Sequence, residues 1–338
     1  MAKGNTPKIQ FGTAGRFDKP RVYAGAVGRD LHIDTPLTNI TIGYRPQNLI
    51  ADQIYPAIPV DKQNNLYYIW TQADFFNIPN AQRAPGAAAN RIGFDVSSAS
   101  YFCREYALAM ELPLEDLANA DAALNLRESA ANFVVDKLSL AWEDRLAVAL
   151  TTTTNVGSSV TLAGGNVWSD KTNSDPVTNI FTGKESIRST TGYEANEVIF
   201  SGVAWNDFRQ HPDIIDFVRG KGDNTGGGPV TQQQVAAAFE VEKVLVGKGV
   251  KNTADEGAPA AYTDIWSTAC IILHVAQNPG LMIPTHGYTF QWTPPGLPGP
   301  MAVDRYSERR QRTETVEVSH YQDERVIAAN LGYLILGG

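Results

Sequence analysis

From Ala122 to Thr151 the chain runs without a glycine or a proline, and it carries there the longest helical pattern in the sequence. Apolar side chains recur at Ala130, Phe133, Val134, Leu138, Ala141, Trp142, Leu146 and Ala149, while Glu128, Asn132, Asp136, Ser139 and Glu143 mark the opposite face. That is a 3.6-residue period, so one stripe is expected to be buried and the other wet. At 1.5 Å per residue the helix would span about 45 Å, more than a small domain needs, which predicts a brace running through an elongated subunit. Pro113 suits the first turn of a short preceding helix with Glu115 and Asp116 near its positive end, and Asp121 suits the cap of the long one.

Composition limits what the brace can belong to. At 338 residues the chain can bury one large core or two smaller ones. A net charge of -8 argues against a nucleic-acid-binding surface covering the molecule. Cys103 and Cys270 lie far apart inside apolar runs and read as reduced and buried, with a disulfide possible only if the fold brings them together. The N-terminal stretch has no apolar signal region, and no later segment has the length of apolar sequence that spans a bilayer.

Residues 1–45 have several glycines and little periodicity, so they read as an arm without a core of its own. Between Met1 and Asp30, Lys3, Lys8, Arg16, Lys19, Arg21 and Arg29 face only Asp18 and Asp30, which makes the arm locally basic. Two strand-like runs follow, Leu66 to Phe76 and Asn90 to Met110, separated by a segment rich in turn formers. They predict a long hairpin with a soft tip. Tyr67, Tyr68, Trp70, Phe75 and Phe76 are too many aromatics for an isolated ribbon to hide. Such a hairpin packs either on another subunit or on its own core.

Beyond a polar excursion from Thr151 to Pro176, helices and strands alternate. The pattern predicts a helix from Pro176 to Thr191 capped by Asp175, a strand over Asn196 to Gly202, a helix broken at Pro212 and another capped by Thr231. Strand-like runs then include Lys243 to Val250 and Ile265 to Ala276, giving a second α/β unit from about Asp175 to Pro300. Arg309 to Gln322 alternates like a half-exposed strand, and Val326 to Leu336 reads as a more buried one.

Motifs for chemistry are missing their spacing. The five histidines form no HxxxH pair and no CxxC accompanies them. Gly220, Gly222 and Gly226 do not make the dinucleotide fingerprint, Gly183 to Ser186 lacks the upstream glycine of a phosphate loop, and no GxSxG elbow occurs. Asp170 to Asp175 alternates oxygens but lacks the glycine and closing glutamate of a calcium loop, so it reads as a hydrated turn. No catalytic, metal or cofactor site is assigned.

The order of these stretches resembles the major capsid proteins of tailed bacteriophages, the Hong Kong 97-type family. Tyr106 to Asp121 with the following long helix is similar to the end of that family's extended loop and its spine helix. Asn166 to Pro176, Gly192 to Ile214, Val241 to Gly257, Gly287 to Trp292 and Ala329 to Ile335 are similar to later stations of its peripheral and axial domains. The resemblance implies an α+β fold with an N-terminal arm over 1–45, an extended β-hairpin loop over 64–110, and a peripheral domain over 46–63, 111–175 and 303–325. The spine helix would cover about 122–152, and the axial domain 176–302 and 326–338.

It further implies a non-enzymatic subunit that assembles with itself as pentamers and hexamers into an icosahedral shell around double-stranded DNA. Expected partners are a separate scaffolding protein, a portal protein and a decoration protein, with no cofactor and no membrane. The expected place is the virion, after assembly in the host cytoplasm. Inter-subunit contact is expected from Tyr67, Tyr68, Trp70, Phe75, Phe76 and Arg83 of the loop, and Lys221, Asp223, Asn224 and Gly226 are expected near the capsomer axis. Some members of the family cross-link through a lysine on the loop, but no lysine occurs from Gln63 to Asp136, so a non-covalent shell is expected. An encapsulin-type shell of the same fold and, more remotely, a soluble α/β hydrolase are the alternatives.

Overall fold

The computed structural model describes residues 32–33, 49–70, 72–83, 85–86, 88–119, 125–220, 228–255, 257–278, 280, 283–297 and 299–338. In chain order the first elements are β1 (His32–Ile33), α1 (Ala51–Ile54), β2 (Ala57–Val60), β3 (Asn64–Trp70), α2 (Gln72–Phe76), β4 (Val96–Phe102), β5 (Arg104–Pro113) and α3 (Leu114–Asn119). Then come α4 (Leu126–Thr151), β6 (Ser158–Thr161), α5 (Pro176–Thr191), β7 (Glu197–Ser201), α6 (Gly202–Arg209), α7 (Pro212–Arg219) and α8 (Gln232–Ala238). The chain ends with β8 (Lys243–Gly247), β9 (Val250–Asn252), β10 (Tyr262–Asp264), β11 (Ala269–Leu273), β12 (Gly287–Trp292), β13 (Met301–Glu308), β14 (Thr313–Val326) and β15 (Gly332–Leu336).

Two sheets share one brace. The first runs β1-β13-β14-β12-β2, with β5 also paired to β14, and the second runs β6-β15-β11-β7-β8. The N-terminal half of α4 buries Ala130, Ala131, Val134, Val135 and Leu138 against Leu112, Val303, Val316 and Val318 of the first sheet. Its C-terminal half buries Leu146, Ala147 and Leu150 against Ile199, Ile271, Leu273 and Leu334 of the second. The other face of the second sheet carries the largest core, where Phe200 and Trp168 pack with Phe208 of α6 and Phe239. β7 is therefore buried along its whole length, with Val198, Ile199 and Phe200 at its centre, because both of its faces are covered.

Local signals in this half behave as expected. Asp175 accepts from Thr178 N and Pro176 opens α5, Pro212 separates α6 from α7, and Thr231 forms a capping box with Gln234. Cys103 and Cys270 are both free and buried.

Five expectations are corrected. The cap of α4 is Asn125, whose side chain accepts from Glu128 N at 3.4 Å; Asp121 lies outside the described residues. The buried stripe is rotated, so that Phe133 and Ala141 are exposed while Glu143, expected on the wet face, is fully buried. Periodicity finds a helix but not its azimuth when small and aromatic residues alternate around it. The hairpin strands are shorter than expected: residues 72–76 turn into α2, and the returning strand starts at Val96 and breaks at Cys103, where pairing passes from β3 to β14. Finally, Gly287–Trp292, expected in the second unit, pairs with β14 and β2 of the first sheet, while Ser158–Thr161 joins the second beside β15. Strand partners follow from long-range register, which no local pattern carries. Pro113 ends β5 and the short helix starts one residue later.

Candidate assembly surface

The hairpin β3–β4 is held to its own subunit at its base and again just past the far end of β3. Its register pairs Asn64 with Phe102 and Trp70 with Val96. Alternation along the ribbon turns Tyr67 and Tyr101 toward the first sheet, where their rings lie 5.6 Å and 4.6 Å from that of Phe290. Phe102 N donates to Asp323 Oδ2 at 2.9 Å, and Gln63 Nε2 donates to the Cys103 carbonyl at 3.1 Å. At the far end of β3, Gln72 Nε2 donates to the Thr190 carbonyl at 2.6 Å and Asp95 N donates to Asp74 Oδ2 at 2.8 Å.

Between and beyond these anchors, several apolar side chains have little of their own subunit to rest on. Leu66 is 62% exposed, Tyr68 68%, Ile78 93%, Ile92 78% and Phe94 60%. Residues Leu66 to Leu114 supply more than half of the exposed large apolar side chains among the described residues. Arg83 and Arg91 stand exposed there and make no ion pair among the described residues. Apolar side chains gathered on one exposed segment make it the candidate surface for another chain.

Of the residues named from sequence, Tyr68, Phe76 and Arg83 are exposed on the loop, whereas Tyr67 is half-buried on Phe290 and serves the anchor. Trp70 and Phe75 are in β3 and α2, but their side chains lie outside the description, as do residues Lys221, Asp223, Asn224 and Gly226 altogether. Sequence reasoning missed Ile78, Ile92 and Phe94. Their signal was present, since large aliphatic residues inside a turn-forming segment have no local reason to be there.

The perturbed titratable groups serve structure. Tyr55 Oη and His286 Nδ1 lie 2.5 Å apart and His286 Nε2 faces the Asn155 carbonyl at 3.1 Å, so the ring is a neutral imidazole with Nε2 protonated and Tyr55 donating. Burial holds His286 down to about 4, against a small opposing effect of the Asn155 hydrogen bond. Burial, reinforced by Arg145, holds His320 to about 4 as well. His211 is tied to Ser174 Oγ and to Asp213 N, and Asp170 closes its own turn on Thr172 N and Asn173 N. Ser174 and His211 are both buried, and neither lines a cavity found among the described residues. Among the described residues, no group of three or more His, Cys, Asp or Glu side chains converges to hold a metal ion. No helix among them is long and apolar enough to cross a membrane.

No family model matches the sequence. The chain is 26% identical over 312 residues, 90% of its length and 96% of the relative's, to the major capsid protein of Burkholderia phage BcepMu. Its structure is similar to that of a phage-related protein from Bordetella bronchiseptica RB50, with a TM-score of 0.69 and 23% identity over 91% of this chain and 97% of that one. It is also similar to the capsid of Cyanophage P-SCSP1u, with a TM-score of 0.59 and 10% identity over 87% of this chain and 89% of the other. Two sheets on one brace with an outlying apolar hairpin are the parts of a capsid shell subunit, and the chain is a capsid shell protein of the Hong Kong 97-type fold. By sequence it stands with the major capsid proteins of phages, and it is a structural protein of the virion.

Proposed function

We propose that this chain closes as pentamers and hexamers into an icosahedral shell around double-stranded DNA, after assembly in the host cytoplasm. The observation that carries the reading is the uncovered loop: Leu66, Tyr68, Ile78, Ile92 and Phe94 are left to water in the single subunit and need a second copy. Trp70, Phe75, Phe76 and Arg83 belong to the same contact, while Tyr67 holds the ribbon to its own subunit. The second sheet with its helices is the axial part, with Lys221, Asp223, Asn224 and Gly226 near the capsomer axis, and the first sheet with the N-terminal half of α4 is the peripheral part. A scaffolding protein, a portal and a decoration protein complete the assembly, and no catalytic role is assigned. An acidic shell suits DNA held by confinement, because gripping phosphates would add a salt-dependent affinity.

Electron microscopy of the protein expressed with and without its neighbouring genes tests this. Closed shells, tubes or capsomers are expected, with DNA inside particles made in the full context. A monodisperse monomer under every condition would defeat the reading, and shells filled with protein cargo would move it to the encapsulin class.

A further inference from the structure

The strand that follows the hairpin is open along one side. β5 pairs over its ten residues with β14 in an unbroken register, and no strand lies against its other edge among the described residues. Every second residue of such a strand turns its N–H and C=O away from the partner, so the edge presents a row of unused backbone groups. Ala107, Leu108, Ala109, Met110 and Glu111 are all exposed, which leaves this edge in water. Edges are ordinarily kept short or blunted by charge, proline or a bulge. The edge strands of the second sheet obey this, with four residues in β6 and five in β8. β5 does not, since residues 106–110 carry no charge and no proline.

The two sides of β5 differ in chemistry. Leu108 and Met110 stand opposite Val318 and Val316, which pack on α4, so their side chains lie on the helix side of the sheet. They are nevertheless 43% and 36% exposed. Ala109 and Glu111 alternate to the other side, where Glu111 makes no ion pair among the described residues. A strand suited to this edge carries apolar side chains at alternate positions and a cation between them.

The returning arm of the loop has that pattern. Ile92 is 78% exposed and Phe94 60%, and Val96 continues the alternation at 42%. Arg91 falls on the opposite side and makes no ion pair among the described residues. Arg91, Ile92 and Gly93 make no hydrogen bond among those residues, and the pairing of β4 begins only at Val96. The outgoing arm is a poorer match, because Ile78 is followed by Pro79, which has no N–H to give.

We propose that residues 91–94 of a second copy add to the free edge of β5 as an antiparallel strand, with Arg91 opposite Glu111, Ile92 opposite Met110 and Phe94 opposite Leu108. This register forms the ion pair and both apolar pairs together. A slip of one residue turns Ile92 and Phe94 away from Leu108 and Met110 to the other side of the sheet. The second copy as occupant rests on the shell reading; the capacity of the edge to take this strand does not.

The edge is tested on the unassembled full-length chain, titrated with a capped peptide of residues 88–96. Saturable binding is expected, weakened about tenfold or more by Ile92→Lys in the peptide or by Leu108→Lys in the chain. The peptide substitution cannot disturb the fold of the chain. No saturable binding, or binding unchanged by Ile92→Lys, overturns the edge as the docking place. The occupant is tested in shells, where Gly93→Cys chains co-assembled with Ala109→Cys chains should form an inter-subunit disulfide. A Cβ at Gly93 meets no atom within 4 Å, Ala109 is exposed, and both native cysteines are buried. Shells without that disulfide overturn the assignment. In wild-type shells, outward amides of residues 106–110 should exchange about tenfold or more slowly than in the free subunit, and unchanged exchange overturns it as well. Failure of the wild-type chain to form particles would count against the shell reading and leave the peptide result standing.

Discussion

The indole N–H of Trp266 donates to Glu143 Oε1 at 2.6 Å, while Oε2 of the same carboxylate accepts the backbone N–H groups of Ile50 and Ala51 at 2.9 Å and 2.7 Å. One side chain near the middle of α4 therefore ties the second sheet to the start of α1, a four-residue helix with no side-chain cap of its own. Burial pushes the carboxyl up, and the three hydrogen bonds oppose it.

Glu143→Leu should destabilise the subunit by about 3–5 kcal/mol, because it leaves three buried donors unmatched. Glu143→Gln keeps an acceptor and should cost roughly 1–2 kcal/mol. The native carboxyl binds its proton more readily than the unfolded one, so its contribution declines as pH rises through the window above its ordinary value of 4.5. In denaturant titrations between pH 4 and 7, the stability difference between the wild type and Glu143→Gln should shrink as pH rises.

His286 and His320 act in the opposite sense on acidification. Both are held from 6.5 to about 4 in the folded chain, chiefly by burial. Stability is full above pH 6.5 and is lost as pH falls toward 4, by on the order of 3 kcal/mol per ring. Both ring nitrogens of His320 lack partners among the described residues, so His320→Phe should fold and flatten this part of the profile. Thermal melts across that range would read it, and an unchanged slope would contradict the assignment.

Gly183 sits inside α5, where alanine is ordinarily favoured by about 1 kcal/mol. A Cβ there would lie 2.5 Å from Ile272 Cδ1 and 2.8 Å from Tyr333 Cδ1, both in the core. Gly183→Ala is therefore expected to lose net stability, about 1–3 kcal/mol from overpacking before the propensity gain. A raised melting temperature would show that the helix can shift.

Tyr68→Ser and Ile78→Ser should leave the melting of the isolated subunit within about 0.5 kcal/mol of wild type, since both side chains are exposed. The yield of closed shells should fall. Tyr101→Ala removes the stack on Phe290 and should loosen the whole ribbon, read as faster hydrogen exchange over residues 64–102.

Assembled particles boiled in denaturant should run as a single band at the subunit mass. No lysine lies on the loop to form an isopeptide, and a ladder of linked subunits would sink this expectation.

Local chemistry decided much of the molecule from the sequence alone. The caps at Asp175 and Thr231, the break at Pro212 and the existence of the long brace, though not its start at Asn125, depend on neighbours within one or two helical turns, so the chain itself carries them. The excess of apolar residues on the loop was legible for the same reason, since a two-stranded ribbon has too little surface to cover them. Tertiary structure alone decided that Tyr67 faces inward and Tyr68 outward, that Gly287–Trp292 belongs to the first sheet, and that Glu143 is buried. Each of these rests on partners far beyond a helical turn, such as Glu143 with Ile50 at a separation of 93. A period along one element fixes which side chains share a face, whereas the packing of distant elements fixes which face is covered.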